Sequence, residues 1–247
     1  MNDTKVAIKI MKPFQDSEQV TAQEQQEAFL REISIMKKID NTHCLKFFDC
    51  FEYDHSYYVV TECLYGKELF SCILDQEGKF YQEPKAIPII QQILTALSYL
   101  HSHYICHCDI KPENLKFTDD TQSLIKIIDF GEATSFESGP MVDWVGTANY
   151  MAPEIISGLK YGPGIDLWSL GVVVYVMLSG TFPFESESEE ELFELIRAKD
   201  FEFYSPHWDR VSFLAKDFIS QLLTDSKARL TSKRALKHAW LCQPRAL

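Results

Sequence analysis

The sequence is short of basic residues. Its 247 residues include 24 Lys and Arg against 36 Asp and Glu, which gives a net charge of −12 at pH 7. Nucleic-acid-binding surfaces are basic, so this balance argues against a nucleic-acid partner. It favours a basic partner or substrate instead.

Long apolar runs are also missing. The longest run covers residues 170–178, which is half of the roughly 20 residues that a membrane-spanning helix needs. The N-terminus has no apolar core of the kind that a signal peptide carries. We therefore expect no membrane span and no secretory leader.

Paired cysteine motifs are absent as well. The sequence has seven cysteines, an odd number, and no C-x-x-C pair. This pattern argues against a disulfide framework and against a zinc site, since Cys106-His107-Cys108 has no second ligand pair. We expect a reducing compartment, namely the cytoplasm, with the nucleus as a second location.

What the sequence does contain is a short polar segment, His107-Cys108-Asp109-Ile110-Lys111-Pro112-Glu113-Asn114, followed fifteen residues after Asn114 by Asp129-Phe130-Gly131. Phosphoryl transfer from a magnesium nucleotide needs a carboxylate for the hydroxyl proton, a cation on the phosphate and oxygen ligands for the metal. These two segments supply all of them. The structural alternative is a turn rich in polar caps.

The two segments resemble the catalytic and metal-binding loops of eukaryotic protein kinases. The resemblance runs from residue 5 to about residue 241. It implies an α+β, two-lobed fold with ATP and Mg²⁺ as cofactors. A truncated small lobe, with an antiparallel sheet and one helix, would cover residues 1–64, and a mainly helical lobe would cover residues 65–247.

The resemblance assigns catalytic roles to four residues. Asp109 would orient the substrate hydroxyl and accept its proton, and Lys111 would neutralise the γ-phosphate. Asn114 and Asp129 would bind Mg²⁺. The lysine two residues after Asp109, together with Gly146-Thr147, resembles Ser/Thr rather than Tyr kinases. We expect Thr147 to form hydrogen bonds near Asp109 and Lys111.

Further positions resemble the nucleotide site. Lys9 in Val6-Ala7-Ile8-Lys9 would hold the α- and β-phosphates, buried beside Glu32, although a lysine on a short strand is usually a solvated residue. Adenine would lie between Ala7 and the strand after Asn114. The remaining positions are the backbone of Glu62 and Leu64 at the edge of the base, and Thr61 in front of the rear pocket.

Three acidic residues resemble substrate-contacting positions, namely Glu68, Glu113 and Glu194. Together with the net charge they imply protein or peptide substrates with basic residues near the target. Glu68 would also contact ribose. The alternative for each is a solvated surface glutamate, and the glutamates between residues 185 and 194 could simply begin a soluble helix.

Periodicity predicts the elements that carry these motifs. A capping box predicts a helix that begins at Thr21, with a buried stripe at Phe29, Ile33, Met36 and Ile39. We expect strands at 5–10, 45–51 and 57–61, and helices at 89–101, 165–178, 190–198, 213–223 and 232–241. The helix at 165–178 should be buried on nearly all sides.

Within the kinases, Phe182-Pro183-Phe184 and Arg229-Leu230-Thr231 resemble the calcium/calmodulin-dependent group, and the calcium-dependent protein kinases of plants and protists look most similar. No calcium-binding loop of the form D-x-D-x-D-G occurs in the chain. A calcium sensor or calmodulin would therefore act through segments outside it. Arg229 would pair with Glu154, and Asp166 would brace the catalytic loop.

The sequence departs from the family at several positions. No glycine precedes Gly66, so the Gly-rich loop over the phosphates is missing, and we expect a truncated chain with exposed apolar surface on the remaining sheet. Lys116 stands where an apolar residue usually forms the floor of the adenine site. Cys108 replaces the usual arginine beside Asp109, and Asp143 stands near the usual phosphorylation site, so activation should not need phosphorylation.

The sequence thus predicts ATP-dependent phosphorylation of Ser or Thr in proteins. The alternative is a catalytically impaired interaction module with the same fold, which the missing loop and Lys116 favour.

Overall fold

The structure is a computed structural model that describes residues 5–12 and 21–243. Its strands are β1 Val6–Met11, β2 Phe47–Tyr53, β3 Ser56–Glu62, β4 Ile105–Cys106, β5 Leu115–Phe117, β6 Ile125–Ile127 and β7 Thr134–Ser135. Its α-helices are α1 Ala22–Met36, α2 Leu69–Leu74, α3 Glu83–Ser102, α4 Pro153–Ile156, α5 Gly164–Ser179, α6 Glu189–Ala198, α7 Phe213–Leu222 and α8 Ser232–Ala235.

The first part of the chain, which we call the sheet region, consists of β1, α1, β2 and β3. Its three strands form an antiparallel sheet in the order β1-β3-β2. The predicted capping box is confirmed, because Glu24 N–H donates to Thr21 Oγ1 (3.2 Å) and Thr21 N–H donates to the Glu24 carboxylate (2.8 Å). The helix packs on the sheet through a small core of Phe29, Ile33 and Val59.

β1 is an end strand of the described sheet. Val6, Ile8 and Ile10 on one face of it are exposed, Ile8 by 51%. Three exposed apolar residues on one strand face form a contiguous apolar patch rather than scattered surface residues. The expected exposed apolar surface is therefore confirmed for the residues that the structure describes.

The rest of the chain, which we call the helical region, is built around α5. All its residues from Ile165 to Ser179 are buried, so the prediction of a helix enclosed on nearly all sides is confirmed. α3 contributes a buried stripe that includes Ile90, Leu94 and Leu97. Small two-stranded pairs, β5 with β6 and β4 with β7, lie in this region.

The last predicted helix is too long. The structure has α8 only over Ser232–Ala235 and turns from there to residue 242. The side chains beyond it pack individually, since Trp240 is buried and its Nε1–H donates to Glu83 (2.7 Å). Apolar periodicity therefore reflected burial there rather than a continuous helix. No helix in the described residues combines the length and the apolar character needed to cross a membrane.

Candidate active site

The predicted catalytic segment forms a loop between β4 and β5, and the carboxylate of Asp166 at the start of α5 anchors it. Asp166 Oδ2 accepts from His107 N–H (3.0 Å) and Oδ1 accepts from Cys108 N–H (2.9 Å). Burial alone would raise the pKa of Asp166, but the hydrogen bond and charge of His101 hold it below its ordinary value. A charged carboxylate thus holds the loop, as predicted.

The His107 side chain fixes the loop from inside. Asp109 N–H donates to His107 Nδ1 (3.3 Å), and His107 Nε2 lies 3.1 Å from the carbonyl oxygen of Ile128. A backbone N–H can only donate and a carbonyl can only accept, so His107 fits as the neutral tautomer with its proton on Nε2. The imidazole joins the catalytic loop to the segment before Asp129.

Asp109 lies in a closed set of hydrogen bonds. Its Oδ2 is 2.7 Å from Lys111 Nζ and accepts from Asn114 Nδ2 (2.9 Å). Thr147 Oγ1 donates to Asp109 Oδ1 (2.8 Å) and accepts from Lys111 Nζ (2.7 Å). The predicted contact of Thr147 with the catalytic loop is confirmed.

A glycine allows Thr147 to approach so closely. Gly146 has φ of +96°, and a Cβ there would lie 2.9 Å from the carbonyl oxygen of Cys108. A side chain at this position would separate the two segments. The glycine in Gly146-Thr147 is therefore needed for the contact between the segment from Asp129 to Glu154 and the catalytic loop.

The two predicted metal ligands lie at the same end of the β5/β6 hairpin. Asn114 directly precedes β5, Asp129 follows β6, and Ile128 N–H donates to the Asn114 carbonyl oxygen (2.9 Å). Both Asn114 Nδ2 bonds go to Asp109, and no described residue donates to its amide oxygen. Asp129 is exposed and has φ of +59°. Amide and carboxylate oxygens suit Mg²⁺, so these residues fit the metal.

Lys9 and Glu32 lie together, but the expected burial of Lys9 is wrong. Lys9 Nζ is 3.6 Å from Glu32 Oε1, and their side chains are 59% and 13% exposed. The lysine is open because it lies on an end strand of the described sheet. Burial raises the pKa of Glu32; the charge of Lys9 opposes this and that of Asp129 adds to it.

The residues predicted to contact the base lie on β1, on β3 and in the segment after β3. Thr61 is buried, Leu64 and Ala7 are half-buried, and Thr61 pairs with Ala7 across the sheet. Gly66 follows, and a Cβ there would lie 2.6 Å from the carbonyl oxygens of Phe117 and Asp119. Close backbone packing against the chain after β5 therefore requires glycine.

Lys116, the residue that departs from the family in this pocket, is half-buried on β5. No described acidic residue forms an ion pair with it. Leu115 and Phe117 on either side point into the core, so Lys116 points away from the core. The structure therefore shows a half-buried Lys116 without an ion-pair partner among the described residues, and its place beneath the base stays a prediction.

Sequence reasoning missed Lys126 on β6. Its side chain is buried, and its Nζ lies 2.8 Å from Glu62 Oε1. The carboxylate of Glu62 therefore forms an ion pair, in addition to the role that was predicted for its backbone. A signal was present, because Lys126 lies inside the apolar run Ile125–Ile128. A charge within a buried strand requires a partner, but only the fold could identify Glu62.

The three predicted substrate-contacting acids differ in their surroundings. Glu113 is half-buried and its Oε2 atom is buried without a hydrogen-bond partner among the described residues. Glu68 is half-buried at the start of α2. Glu194 is exposed and already pairs with Arg197 (2.7 Å). Of these three acids, Glu113 is the one with a buried carboxylate oxygen that has no hydrogen-bond partner among the described residues.

The segment that follows Asp129 ends in the predicted ion pair. Arg229 donates to both carboxylate oxygens of Glu154, at 2.6 and 3.0 Å, in a buried position. Cys108 is buried and Asp143 is exposed. No described basic side chain lies in an ion pair with Asp143, so its substitution for a phosphate stays a prediction.

Comparison with known proteins gives consistent results. The sequence profile of the family described as "Protein kinase domain" matches residues 1–241. A probable myosin light chain kinase of Dictyostelium discoideum is 37% identical over 231 residues, which cover 92% of this chain and 58% of that protein.

Two further relatives have similar identities. Calcium/calmodulin-dependent protein kinase type 1 of Caenorhabditis elegans is 38% identical over 87% of this chain and 62% of its own length. Calcium-dependent protein kinase 4 of Plasmodium falciparum is 38% identical over 87% of this chain and 41% of its own length. The chain thus spans about three fifths or less of the length of these relatives.

These matches confirm the resemblance to the calcium/calmodulin-dependent group. That the chain is most similar to the calcium-dependent protein kinases of plants and protists stays a prediction. The division into lobes at residues 64 and 65 also stays a prediction. The profile covers both the sheet region and the helical region with its catalytic loop, and the chain therefore belongs to the protein kinase domain family.

Proposed function

We propose that this protein transfers the γ-phosphoryl group of Mg-ATP to Ser or Thr hydroxyls of protein substrates. The observation that supports this most directly is the closed set of hydrogen bonds among Asp109, Lys111, Asn114 and Thr147. It holds a charged carboxylate and an ammonium side by side without further rearrangement. Such preorganisation is the main contribution that a protein makes to phosphoryl transfer.

The proposed reaction uses these residues in distinct ways. Asp109 orients the substrate hydroxyl and accepts its proton as the new O–P bond forms. The bond between the γ-phosphorus and the bridging oxygen breaks, and ADP leaves. Lys111 balances negative charge on the transferred group. Asn114 and Asp129 would hold Mg²⁺, which would neutralise charge on the phosphates.

We further propose a preference for substrates with Arg or Lys near the target residue. The buried, unpartnered Oε2 of Glu113 supports this, because a buried carboxylate oxygen without a donor is costly until a cation reaches it. The net charge of −12 would also attract basic peptides. Glu194 contributes less, since Arg197 occupies its carboxylate.

We also propose how the activity is regulated and where the protein is located. The named relatives suggest regulation by calcium or calmodulin, which would act through segments outside this chain. The proposed location is the cytoplasm, with the nucleus as a second location. All seven cysteines are free thiols, which suits a reducing compartment.

The second candidate is an interaction module with impaired catalysis. Two observations favour it. Lys9 is 59% exposed rather than enclosed beside Glu32, and the half-buried Lys116 has no ion-pair partner among the described residues. Both would weaken nucleotide binding, the first at the phosphates and the second at the base.

A thermal-shift experiment separates the two candidates. Mg-ATP that binds only the folded protein must raise the unfolding midpoint, whereas a module without a nucleotide site shows no shift. A version extended at its N-terminus by a Gly-rich hairpin should bind more tightly, by roughly a hundredfold if two charge-assisted bonds are gained.

Phosphate transfer is then measured with matched peptides that carry Arg or Glu upstream of one Ser. We expect transfer to the Arg peptide, and a loss of about 10²–10⁴-fold in Asp109→Ala without loss of ATP binding. Glu113→Ala should selectively weaken use of the Arg peptide. An extended protein that binds Mg-ATP but phosphorylates no basic peptide would refute the enzyme proposal.

A further inference from the structure

The carboxylate of Glu62, at the end of β3, contacts two separate parts of the chain. Glu62 Oε1 accepts from Lys46 N–H (2.7 Å) and lies 2.8 Å from Lys126 Nζ. Glu62 N–H in turn donates to the Lys46 carbonyl oxygen (3.0 Å). One side chain thus joins the end of the sheet region to the β5/β6 hairpin of the helical region.

The ammonium of Lys126 extends the same connection. Its Nζ also donates to the Cys44 carbonyl oxygen (3.2 Å), in the segment that follows α1. This segment is bonded to β6 in addition, since Leu45 N–H donates to the Ile127 carbonyl (2.9 Å) and Ile127 N–H donates to the His43 carbonyl (2.8 Å). The ion pair therefore lies next to the backbone hydrogen bonds that join residues 43–45 to β6.

A second lysine neighbours Lys126 across the hairpin. This is Lys116 on β5, which stands directly opposite Lys126 on β6. Directly opposite residues of antiparallel strands project from the same face, and like charges in such positions repel. Glu62 forms an ion pair with Lys126, and no described acidic residue forms one with Lys116.

We propose that Glu62 is a positioning residue of the nucleotide site, and that its carboxylate is a shared counter-ion for Lys126 and Lys116. It fixes the base pocket relative to the hairpin whose end carries Asn114 and Asp129. Lys116 takes the place of Lys126 when that ammonium is removed. This role rests on the proposed function only in so far as the positioned site binds nucleotide.

The arrangement predicts an asymmetry between the partners. Without Glu62, two opposed ammonium groups lose their counter-ion. Without Lys126, Glu62 retains Lys46 N–H and gains access to Lys116. Glu62→Gln should therefore be more disruptive than Lys126→Met, and the double variant Lys116→Met/Lys126→Met should approach the effect of Glu62→Gln.

Amide hydrogen exchange of the nucleotide-free chain tests this without reference to catalysis. In Glu62→Gln, exchange at residues 43–46 and 127–129 should accelerate by about tenfold or more, in the range of coupling between contacting residues. Lys126→Met should give a smaller change. Exchange in α5 should stay unchanged in every variant. The matched control is Asp75→Asn, which removes the exposed Lys67–Asp75 pair, whose separation of 2.7 Å is close to the 2.8 Å of Glu62 and Lys126.

Binding of Mg-ATP, followed by titration calorimetry, should weaken by about tenfold in Glu62→Gln and stay unchanged in Asp75→Asn. Equal effects of Glu62→Gln and Lys126→Met, with nothing added by Lys116→Met, would overturn the shared role. Unchanged local exchange in Glu62→Gln, or a loss of protection that extends through α5, would overturn the positioning role. A wild-type chain that fails to bind Mg-ATP would instead count against the proposed function, while the exchange pattern would still decide this inference.

Discussion

The sheet region and the helical region hold their functional ion pairs in very different surroundings. Glu154 and Arg229 in the helical region form a bidentate pair that is almost fully enclosed. Lys9 and Glu32 in the sheet region are 3.6 Å apart, and the lysine is largely in solvent. The pair in the helical region is therefore enclosed by packed structure, whereas Lys9, the lysine that is predicted to bind phosphate, is largely exposed to solvent. Two ion pairs that the same family resemblance predicts can thus differ greatly in how far the structure excludes water from them.

The first test compares the two ion pairs directly. Arg229→Met should destabilise the protein by about 3–5 kcal/mol, because it leaves the buried Glu154 carboxylate unpaired. Lys9→Met should change stability by less than about 1 kcal/mol, since an exposed pair contributes little. Urea unfolding of both variants measures the difference. Equal losses would show that the two pairs are equally important to the fold.

The second test compares a buried apolar side chain of the helical region with an exposed apolar side chain of the sheet region. Leu97→Ala removes a fully buried side chain from α3 and should cost about 2–5 kcal/mol. Ile8→Ala removes an exposed side chain from β1 and should change stability by less than about 0.5 kcal/mol. Thermal unfolding monitored by circular dichroism is sufficient. A large loss in Ile8→Ala would mean that the outer face of β1 is covered in solution.

The third test concerns Asp166, whose folded-state pKa lies below its ordinary value of 3.8. A lowered folded-state pKa adds stability above the unfolded-state pKa, and this stability is lost as the pH falls through the folded-state pKa. Asp166→Asn should lower stability at pH 7 by about 3 kcal/mol, since it weakens charge-assisted bonds to the catalytic loop. It should also reduce the loss of stability below about pH 4. Acid titration of both proteins checks this, and an unchanged acid transition would contradict it.

The fourth test concerns Glu32, whose pKa is raised in the folded protein, whereas that of Asp166 is lowered. Burial raises the pKa of Glu32 above 4.5, so its contribution is fully present below the unfolded-state pKa and is lost as the pH rises through the folded-state pKa. Glu32→Gln should therefore stabilise the chain slightly at pH 7, by less than about 1 kcal/mol, even though the pair with Lys9 is lost. Unfolding midpoints at pH 4 and pH 7 provide the measurement. Destabilisation at pH 7 would show that the Lys9 pair is stronger than its exposure suggests.

Much of the fold could be predicted from local patterns. The capping box at Thr21 and Glu24 marked the start of α1, and the apolar composition of residues 165–178 predicted the enclosed helix α5. The prediction failed near the C-terminus, where α8 ends at Ala235. There Trp240 is buried through its own contacts, so the spacing of apolar residues gave no information about backbone conformation.

For this protein, the sequence by itself determined the family and the candidate catalytic set, because Asp109, Lys111 and Asn114 lie within one short loop and local spacing fixes them. It also predicted that a charged residue, Lys116, lies at the base site. Only the tertiary structure decided that Lys9 is exposed and that Glu62 pairs with Lys126. Those properties depend on which distant segments meet and on how much water is excluded between them, and neither is encoded in the local spacing of residues.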